Sequence, residues 1–380
     1  MARRILYLSR TWAMGGAQTI LLSLIRSLPR DAFEIVVVPF ETGSVADRTF
    51  AEAAERAGAT IVEPLRWRGF KDFAAAQATL RAIAERHRID LVHSHDNLSN
   101  TLVGLDRRLG RPRIATAFGW WELNLKLKAY YALERRLVLP RFDAVYTVSH
   151  DMERKIRAGG TRPERIAVIH TGLDMAPFRP RGGRDATRQR LAPGDDRLLV
   201  GAVGRISAEK GHEHLLRAVQ RLAPSHPGLT VVLAGTGPDT GRLKALAGEL
   251  GVADRLVMPG YVADAAEILE ALDIAVLPSV LDEGFPTAAI EAQAAGLPIV
   301  ASDIGGTRET LVDGVTGRLV PPGDDAALAA ALAELATDAG LRQRMGAAAR
   351  QRIARDFTLD GMIGAMAGLY DRVLAGRPLR

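Results

Sequence analysis

The stretch LPSVLDEGFPTAAIEAQAAGLPIVASDIGGTRE, residues 277–309, decides the fold of this chain. The apolar residues 273–277 that lead into it predict a buried strand. Pro286 suits the first turn of a helix, and residues 287–295 continue as an apolar helix. Val300 and its neighbours then predict the next strand. A strand, a loop, a helix and a strand in this order are typical of an α/β domain.

Two carboxylates hold a defined relation within this stretch. Glu283 lies on the loop before the helix, and Glu291 lies one to two turns inside it. A helix N-terminus offers free backbone N–H groups and a partial positive charge, which suit a phosphate. Acidic side chains beside such a site would bind hydroxyl groups of a sugar or a ribose rather than the phosphate itself. The alternative interpretation of the same pair is a surface helix with two solvated glutamates.

The two glutamates have seven residues between them, a Pro-Ser pair before them and a Gly-Gly pair after them. In that setting they resemble the E-x7-E motif of retaining GT-B glycosyltransferases of family 4, also called glycosyl transferases group 1. The resemblance implies that Glu283 is catalytic and holds sugar hydroxyls, while Glu291 holds the ribose of a nucleotide-sugar donor. It also implies that Phe285 and the backbone N–H groups of Thr287 and Ala288 line the donor site.

The alternation of strands and helices in both halves of the chain predicts two doubly wound α/β domains. The resemblance, strongest over residues 200–320, implies the GT-B type, in which two Rossmann-like domains face each other across a cleft. Residues 1–176 are expected to form the N-terminal acceptor-side domain, and residues 177–357 the nucleotide-sugar-binding domain. We interpret residues 178–197 as the linker, and we expect the C-terminal helix at 358–380 to pack back on the first domain.

Length and composition limit the classes that remain. The 380 residues exceed one compact domain, and 47% hydrophobic with 25% charged residues is ordinary for a globular protein. The absence of cysteine excludes disulfides and thiolate metal sites, and it fits a cytoplasmic location. No stretch approaches the length of a transmembrane helix, and the first residues predict a strand rather than a signal peptide.

The formal charge of +6 and the pI near 9.8 suit nucleic acid, an anionic membrane or an anionic substrate. The sequence lacks a basic motif with interleaved aromatic residues, so nucleic acid is not expected as a partner. The helix predicted over residues 122–137 mixes Leu, Tyr, Lys and Arg. That mixture suits peripheral contact with the inner face of an anionic membrane, although the solvated face of an ordinary helix is the simpler account.

A second cluster of chemistry follows the strand predicted over residues 198–203. The loop GRISAEKG, residues 204–211, begins with Gly204, where the backbone can approach a ligand closely. Arg205 can bind two phosphate oxygens at once, and Lys210 adds a point charge. Two solvated cations are the alternative for any such loop. The loop resembles the G-R-x4-K-G loop of the same family.

The ends of two later strands supply further candidate residues for the donor. Residues 229–234 lead into Gly235 and Gly237, and a strand of similar length leads into Tyr261 and Val262. In the family that this chain resembles, these two strand ends form the pocket for the nucleotide base, largely through backbone groups. Neither end identifies the base.

Gly15 and Gly16 lie in the first loop, before the helix predicted over residues 17–27. Their spacing does not match the G-x-G-x-x-G pattern of a dinucleotide fold, and a tight turn is the ordinary use of two adjacent glycines. The pair resembles the GGA loop of family 4 transferases, which lies near the donor phosphates or the acceptor.

The strand DLVHSH predicts two histidines, His93 and His95, on one face. One interpretation is a metal site with Asp96, His150 or His170 as further ligands. The other is one packed and one polar histidine at the carboxyl end of a strand, where open α/β sheets bind ligands. We favour the second because no third ligand stands at a recognisable spacing. The strand also resembles the D-hydrophobic-V-H-x-H strand of the family.

The strand RIATAFG departs from the family pattern, because Phe118 stands where relatives commonly carry a histidine that faces the transfer centre. The polar role of that histidine is therefore absent here, or a neighbouring residue takes it over. His95 is the nearest candidate for such a catalytic group. The adjacent Trp120 and Trp121 could stack on a sugar or contact a lipid, and packing is the equal alternative. We assign all three aromatic residues to the acceptor side.

The residues and the resemblance together predict a retaining glycosyltransferase that transfers a hexosyl or acetylhexosaminyl group. The donor would be a nucleotide diphosphate sugar, and the acceptor a saccharide or a lipid-linked hydroxyl in polysaccharide, lipopolysaccharide or glycolipid synthesis. No D-x-D sequence occurs, so neither a metal nor another cofactor is expected. A nucleotide-sugar epimerase, a metal-dependent hydrolase built on the two histidines, and a binding protein without turnover are the alternatives.

Overall fold

The computed structural model describes residues 2–9, 16–41, 49–67, 69–120, 124–194 and 197–379. The strands found in these residues are β1 Arg3–Ser9, β2 Phe33–Glu41, β3 Thr60–Ile61, β4 Leu65–Arg66, β5 Leu91–Ser94, β6 Arg113–Ala117, β7 Ala144–Thr147, β8 Ile166–Val168, β9 Leu198–Val203, β10 Leu229–Ala234, β11 Leu256–Gly260, β12 Ile274–Leu277, β13 Ile299–Ser302 and β14 Gly317–Val320.

The helices alternate with these strands. They are α1 Gly16–Ser27, α2 Thr49–Arg56, α3 Phe73–Arg86, α4 Asn97–Gly104, α5 Leu125–Leu133, α6 His150–Ala158, α7 Arg184–Leu191, α8 His212–Leu222, α9 Thr240–Glu249, α10 Ala265–Ala271, α11 Thr287–Ala294, α12 Thr307–Thr310, α13 Asp325–Thr337, α14 Ala339–Asp356 and α15 Leu359–Leu374.

The chain divides into two compact units, of which unit 1 comprises Met1–Gly172 and Leu359–Arg380. Its sheet is parallel and has the strand order β3-β2-β1-β5-β6-β7-β8, with β4 paired to β2. The order reverses at β1, which has β2 on one side and β5 on the other. In an open α/β sheet such a reversal leaves a crevice outside the carboxyl ends of the strands, where ligands bind.

The last helix, α15, belongs to unit 1 and is fixed to its first strand. Met366 and Leu369 are buried against the unit, and Tyr370 Oη lies 2.8 Å from Tyr7 Oη on β1. Asp371 adds an ion pair with Arg3. The helix is therefore held by a buried apolar face and a polar contact, which together order a segment that would otherwise fray.

Unit 2 comprises Leu173–Thr358 and repeats the same architecture. Its parallel sheet has the order β11-β10-β9-β12-β13-β14, so β9 lies at the reversal between β10 and β12. The loops that follow these three strands carry the motifs singled out in the sequence. The prediction of doubly wound α/β domains is confirmed in both units.

The interpretation of residues 178–197 as a linker is wrong. The segment contains helix α7, which packs on α10 of unit 2 and buries Leu191. Arg184 and Arg188 both form ion pairs with Asp273, at 2.6 and 2.9 Å. The many arginines of this segment suggested a solvent-exposed linker, but Arg184 and Arg188 instead neutralise a carboxylate of unit 2.

The helix predicted over residues 122–137 is interrupted. Residues 122 and 123 lie outside the described part, α5 ends at Leu133, and the residues Glu134–Val138 form a π-helical turn. A π-turn inserts one residue into the helical repeat and often marks a place where a buried side chain is re-aimed. Within the described ranges, no helix combines the length and the apolar character that crossing a bilayer would require.

Candidate functional site

The loop between β12 and α11 places the carboxylate of Glu283 between two donors. Ser279 Oγ donates a hydrogen bond to Glu283 Oε1 at 2.7 Å, and Lys210 Nζ reaches the same oxygen at 2.6 Å. Ser279 is fully buried, so its hydroxyl is a fixed donor. The residues Lys210 and Glu283 therefore form an ion pair that is largely shielded from solvent.

A second ion pair lies within the loop after β9. The guanidinium of Arg205 contacts Glu209 Oε1, and Ser207 Oγ donates to the same oxygen at 2.7 Å. Burial alone raises the pKa of the Glu209 carboxyl, but hydrogen bonds and the charges of Arg205 and Lys210 outweigh burial and hold that pKa below its ordinary value. Glu209 is therefore ionised at neutral pH, and both cations predicted to bind phosphate have a carboxylate partner in this structure.

Close backbone contacts bring the loops after β9, β10 and β12 together, and glycine is required for them. A Cβ on Gly235, whose φ is +145°, would lie 1.8 Å from the carbonyl oxygen of Gly204. A Cβ on Gly211, with φ +63°, would lie 2.1 Å from the carbonyl oxygen of Pro278. Gly237 is similarly close to the backbone after β9. These glycines let the cationic loop and the Glu283 loop touch.

The loop after β13 holds the backbone of Glu283 in place. Gly306 N donates to the carbonyl oxygen of Glu283 at 2.7 Å, and a Cβ on Gly305 would lie 2.5 Å from that oxygen. Val280 N donates to the carbonyl oxygen of Glu209 at 3.0 Å. The backbones of both glutamates are thus fixed by neighbouring loops. Glu209, Gly305 and Gly306 were not assigned to the site from the sequence, although all three lie inside its motifs.

Glu291 differs from the other two carboxylates because it lacks a partner. It lies in the second turn of α11, partly exposed, and no hydrogen bond or ion pair reaches its carboxylate from the described residues. Burial raises the pKa of Glu291 above its ordinary value. Thr287 and Ala288 open the same helix, and a helix leaves the N–H groups of its first residues without an intrahelical acceptor.

The remaining donor-side residues of unit 2 divide into exposed and packed side chains. Tyr261 follows β11 and is 78% exposed, and Val262 beside it is half-buried. Phe285 is instead buried, and its ring lies 5.3 Å from the ring of Phe357. The Phe285 side chain therefore packs within unit 2, and its assignment to the donor site stays a prediction.

Two of the residues predicted in the first unit, Gly15 and Trp121, lie outside the described residues. Gly16 is described and opens α1. Phe118 follows β6, is half-buried, and stands edge-on to the ring of Tyr146 at a centroid distance of 5.8 Å. Its position at the carboxyl end of the sheet agrees with the edge where ligands bind.

Trp120 is 4% exposed, so the structure favours packing of its ring over stacking on an acceptor. Its Nε1 donates to Glu134 Oε2 at 2.9 Å, and the guanidinium of Arg135 lies 4.9 Å from the centre of its ring. Glu134 is itself buried and also accepts hydrogen bonds from Asn97 and Asn100. Burial raises the pKa of Glu134, and these three donors oppose that effect. The π-turn aims this carboxylate into the core.

His93 is fully buried with both ring nitrogens facing hydroxyl groups. Its Nδ1 lies 2.9 Å from Tyr370 Oη, and its Nε2 lies 2.9 Å from Thr116 Oγ1. Asp96 accepts hydrogen bonds from the backbone of α4 and caps that helix. Both ring nitrogens of His93 and the carboxylate of Asp96 are thus occupied by protein contacts, which does not favour a metal site built on His93.

His95 lies directly after β5 and is buried. Its Nδ1 lies 3.1 Å from Thr116 Oγ1, and its Nε2 is buried with no hydrogen-bond partner in the described part of the chain. Burial lowers the pKa of His95 to about 3, so the imidazole is neutral at physiological pH. The pKa of His93 is also well below its ordinary value, because of burial and the nearby His95.

The chain matches two protein-family profiles that together span most of its length. Residues 183–352 match the family described as Glycosyl transferases group 1. Residues 14–176 match the family described as Glycosyltransferase Family 4.

Two curated relatives are similar over most of their own length. The D-inositol 3-phosphate glycosyltransferase of Stackebrandtia nassauensis is 34% identical over an alignment of 307 residues, which covers 74% of this chain and 69% of that protein. The glycogen synthase of Mycobacterium tuberculosis is 35% identical over 297 aligned residues, with the same coverage of 74% and 69%.

A solved structure supports the same assignment at the level of the fold. The crystal structure of HepE from Anabaena in complex with UDP has a TM-score of 0.83 and 22% identity, covering 97% of this chain and 99% of that one. The two α/β units and their motif loops therefore define a glycosyltransferase of the GT-B fold class. Together with the profile matches and the curated relatives, they show that the chain belongs to family 4, the glycosyl transferases group 1.

Proposed function

We propose that this protein transfers a sugar from a nucleotide diphosphate sugar to a hydroxyl acceptor, with retention at the anomeric carbon and without a metal ion. The observation that carries the proposal is the pair of cations held by carboxylates in the loops after β9 and β12 of unit 2, together with the carboxylate of Glu291 on α11, which has no partner among the described residues. A diphosphate offers the oxygens that Arg205 and Lys210 bind best, and a ribose offers hydroxyl donors for Glu291.

Donor binding in this proposal is an exchange of partners. The diphosphate oxygens take over Arg205 from Glu209 and Lys210 from Glu283. The released Glu283 carboxylate stays in place because Ser279 still donates to it. It is then free to accept hydrogen bonds from the hydroxyls of the sugar, which strengthen as the sugar becomes cation-like.

In the reaction, the bond between the anomeric carbon and the phosphate oxygen breaks, and the acceptor oxygen bonds to the same face of that carbon. The proton of the acceptor hydroxyl passes to the leaving phosphate. Negative charge grows on that phosphate, and Arg205, Lys210 and the N–H groups of Thr287 and Ala288 stabilise it. Fixed side-chain cations thus perform the task that a divalent metal performs elsewhere, and Glu283 forms no covalent bond.

The transferred group in this proposal is a hexose or an acetylhexosamine, and the acceptor is a saccharide or lipid-linked hydroxyl of a cell-surface polysaccharide, lipopolysaccharide or glycolipid. UDP-glucose is the donor to test first, since the Anabaena protein has been solved with UDP and with UDP-glucose. The exposed ring of Tyr261 is suited to stack on the base of such a donor.

The test is a melting-temperature screen against UDP-, GDP- and ADP-sugars, followed by NMR of the product. A ligand that binds only the folded state raises Tm, so the true donor gives a shift that the others do not. An α-linked donor is expected to give an α-linked product, and a β-linked product would contradict retention. Donor converted to another nucleotide sugar without acceptor would indicate an epimerase, and binding without any turnover would indicate a binding protein.

The helix α5 and the π-turn after it favour contact with an anionic membrane as part of this function. Leu125 is 85% exposed, and Leu133 and Leu137 are 55% and 48% exposed. Lys126 and Lys128 are exposed beside them. Apolar side chains that enter the headgroup region, flanked by cations that bind anionic lipids, are the chemistry of an interfacial helix. Such contact would bring a lipid-linked acceptor to unit 1.

Vesicle flotation tests this surface with the full chain. We expect co-flotation with vesicles that contain anionic lipid and none with neutral vesicles, and Leu125→Ser with Leu133→Ser should reduce it several-fold. Leu105→Ser, a change at another partly exposed leucine of unit 1, serves as the control. If the variant that combines Leu125→Ser and Leu133→Ser floats as much as the unchanged protein, the proposed contact is contradicted.

A further inference from the structure

A continuous series of neutral hydrogen-bonding groups crosses the core of unit 1, from α15 to the end of β5. Tyr7 Oη lies 2.8 Å from Tyr370 Oη, which lies 2.9 Å from His93 Nδ1. His93 Nε2 lies 2.9 Å from Thr116 Oγ1, which lies 3.1 Å from His95 Nδ1. We call these five side chains the hydroxyl–imidazole chain. It ends at His95 Nε2, a buried atom that has no partner among the residues the structure describes.

The hydroxyl–imidazole chain has one proton more than it has contacts. Its two tyrosines, its threonine and its two neutral imidazoles each carry one hydrogen that can be donated. Five donors meet only four contacts between neighbouring groups. One N–H or O–H is therefore left without an acceptor within the chain, whichever way the protons are arranged.

The position of that last donor depends on the tautomer of His95. If His95 carries its proton on Nδ1, the donor without an acceptor is a tyrosine hydroxyl or the hydroxyl of Thr116, inside the core. If His95 carries its proton on Nε2, every contact runs in one direction, and the donor left over is His95 Nε2–H. An unmet donor in a core is costly, whereas one at a ligand-binding edge can be satisfied when a ligand binds.

We infer that His95 carries its proton on Nε2 and donates this hydrogen bond to an oxygen of the bound substrate, with Tyr370, His93 and Thr116 as positioning residues that set the tautomer. The site lies at the carboxyl end of β5, beside the reversal of strand order in unit 1. The inference rests on the proposed function only for the identity of the ligand, a hydroxyl-bearing sugar.

This arrangement separates donation from base catalysis. A neutral imidazole whose Nδ1 accepts from Thr116 and whose Nε2 is protonated has no lone pair to take a proton from an acceptor hydroxyl. Burial opposes the charged form as well, since it holds the pKa of His95 far below its ordinary value. His95 can therefore hold and orient a substrate oxygen, and the acceptor's proton must go elsewhere.

The tautomer is tested by ¹⁵N NMR of the full chain labelled at histidine, because protonated and unprotonated ring nitrogens have different shifts. His95→Gln identifies the signals of His95. We expect a protonated Nε2 and an unprotonated Nδ1 that do not titrate between pH 5 and pH 8. A protonated Nδ1, or titration in that range, would overturn the inference.

The positioning role has its own pair of variants. Thr116→Val removes the hydroxyl that links the two histidines, whereas Thr116→Ser keeps it. We expect a mixture of His95 tautomers in the first variant and the unchanged tautomer in the second. If Thr116→Val does not fold, Tyr370→Phe gives the same test from the other end, with His93 as the reporter. Unchanged histidine signals in Tyr370→Phe and in a folded Thr116→Val would refute the positioning role.

The role in substrate binding is tested with UDP-glucose as the probe. Gln places an amide N–H near the position of Nε2, and Asn places one near Nδ1. We expect His95→Gln to retain several-fold more turnover than His95→Asn, with roughly tenfold or greater loss in the latter and unchanged affinity for UDP. Equal losses would overturn the donor role. If the unchanged protein neither binds UDP nor consumes UDP-glucose, the proposed function fails while the NMR result still decides the tautomer.

Discussion

The polar centres of the two units are built from opposite kinds of chemistry. In unit 2, the loops after β9 and β12 join ionised groups in pairs, Arg205 with Glu209 and Lys210 with Glu283. In unit 1, the hydroxyl–imidazole chain contains only neutral groups, and burial keeps its histidines uncharged. The centre of unit 2 therefore consists of ion pairs, and the centre of unit 1 consists of uncharged hydrogen-bonding groups in the core.

The difference indicates how each centre responds to a ligand. Ion pairs that are partly exposed can trade partners, because a phosphate oxygen replaces a carboxylate oxygen at little cost in geometry. Inside a buried neutral chain each group is held by a neighbour on either side and cannot exchange partners, so a ligand can bind only at an end of the chain such as His95. We therefore expect unit 2 to select a ligand by its charge, and unit 1 to select it by the orientation of its hydrogen-bonding groups. The four predictions that follow test this contrast, from the largest expected effect to the smallest.

Glu283→Gln should have the largest effect, a loss of turnover on the order of 100-fold, because its charge is needed most as the sugar becomes cation-like. Donor affinity should change much less, since the phosphates bind elsewhere. Steady-state turnover of UDP-glucose and calorimetric binding of UDP measure the two quantities separately. Glu249→Gln, an exposed acid on α9, is the matched control. Full turnover in Glu283→Gln would remove the catalytic assignment.

Arg205→Ala and Lys210→Ala should each weaken UDP binding by about 1.5–3 kcal/mol, because each removes a charge-assisted contact with phosphate. Lys210→Ala should cost more, since it leaves the carboxylate of Glu283 without its cation beside the phosphate. Uridine, which has no phosphate, should bind equally to all variants. Calorimetry measures the affinity of each variant for UDP and for uridine. Lys244→Ala, a change at an exposed lysine of α9, is the control. An equal loss for uridine would place the cations elsewhere.

Glu291→Gln should raise Tm at neutral pH while it weakens donor binding. The folded-state pKa of Glu291 is raised, so its favourable contribution to stability is complete below its unfolded pKa and is lost as the pH rises through the folded pKa. Gln carries no charge, so the gain should be a few degrees at pH 8 and should vanish near pH 4. Thermal melts across this range measure it. A gain that grows on acidification would contradict the assigned burial of charge.

EDTA should have the smallest effect, none on turnover, because side-chain cations supply the charge at the phosphate site. The assay compares UDP-glucose turnover before and after dialysis against the chelator. Full loss that Mg²⁺ or Mn²⁺ restores would contradict a metal-independent mechanism, and it would also weaken the contrast between a charged and a neutral centre.

The regular elements and the motif loops could be predicted from the sequence, because both are local. The strands at 198–203 and 229–234 match the observed β9 and β10 in their bounds, and the helix at 17–27 matches α1 to within one residue. Each has an apolar period and a glycine or proline at its ends. The loops between them carry charged residues at family spacing, so the candidate residues of unit 2 could be named in advance.

The partners of those residues could not be predicted, because they lie far apart in the chain. Lys210 and Glu283 are 73 residues apart, and His93 and Tyr370 are 277 residues apart. Sequence patterns predict which residues are polar and not which polar residues meet. The burial of Trp120 depended on an acceptor for its indole N–H, which the π-turn supplies through Glu134. A helical period of 3.6 residues does not anticipate such an insertion.

The ion pairs of α7 have a practical consequence for dividing the protein into parts. The carboxylate of Asp273 accepts hydrogen bonds from Arg184, Arg188 and the backbone N–H of Leu199, the second residue of β9. A fragment cut at residue 198 would lose both arginines and leave a mostly buried carboxylate without its cations, at a cost of about 3–5 kcal/mol. A fragment cut before residue 183, where the group 1 profile begins, keeps them. Expression of unit 2 by itself should therefore start upstream of residues 178–197, although the composition of that segment suggests that it is dispensable.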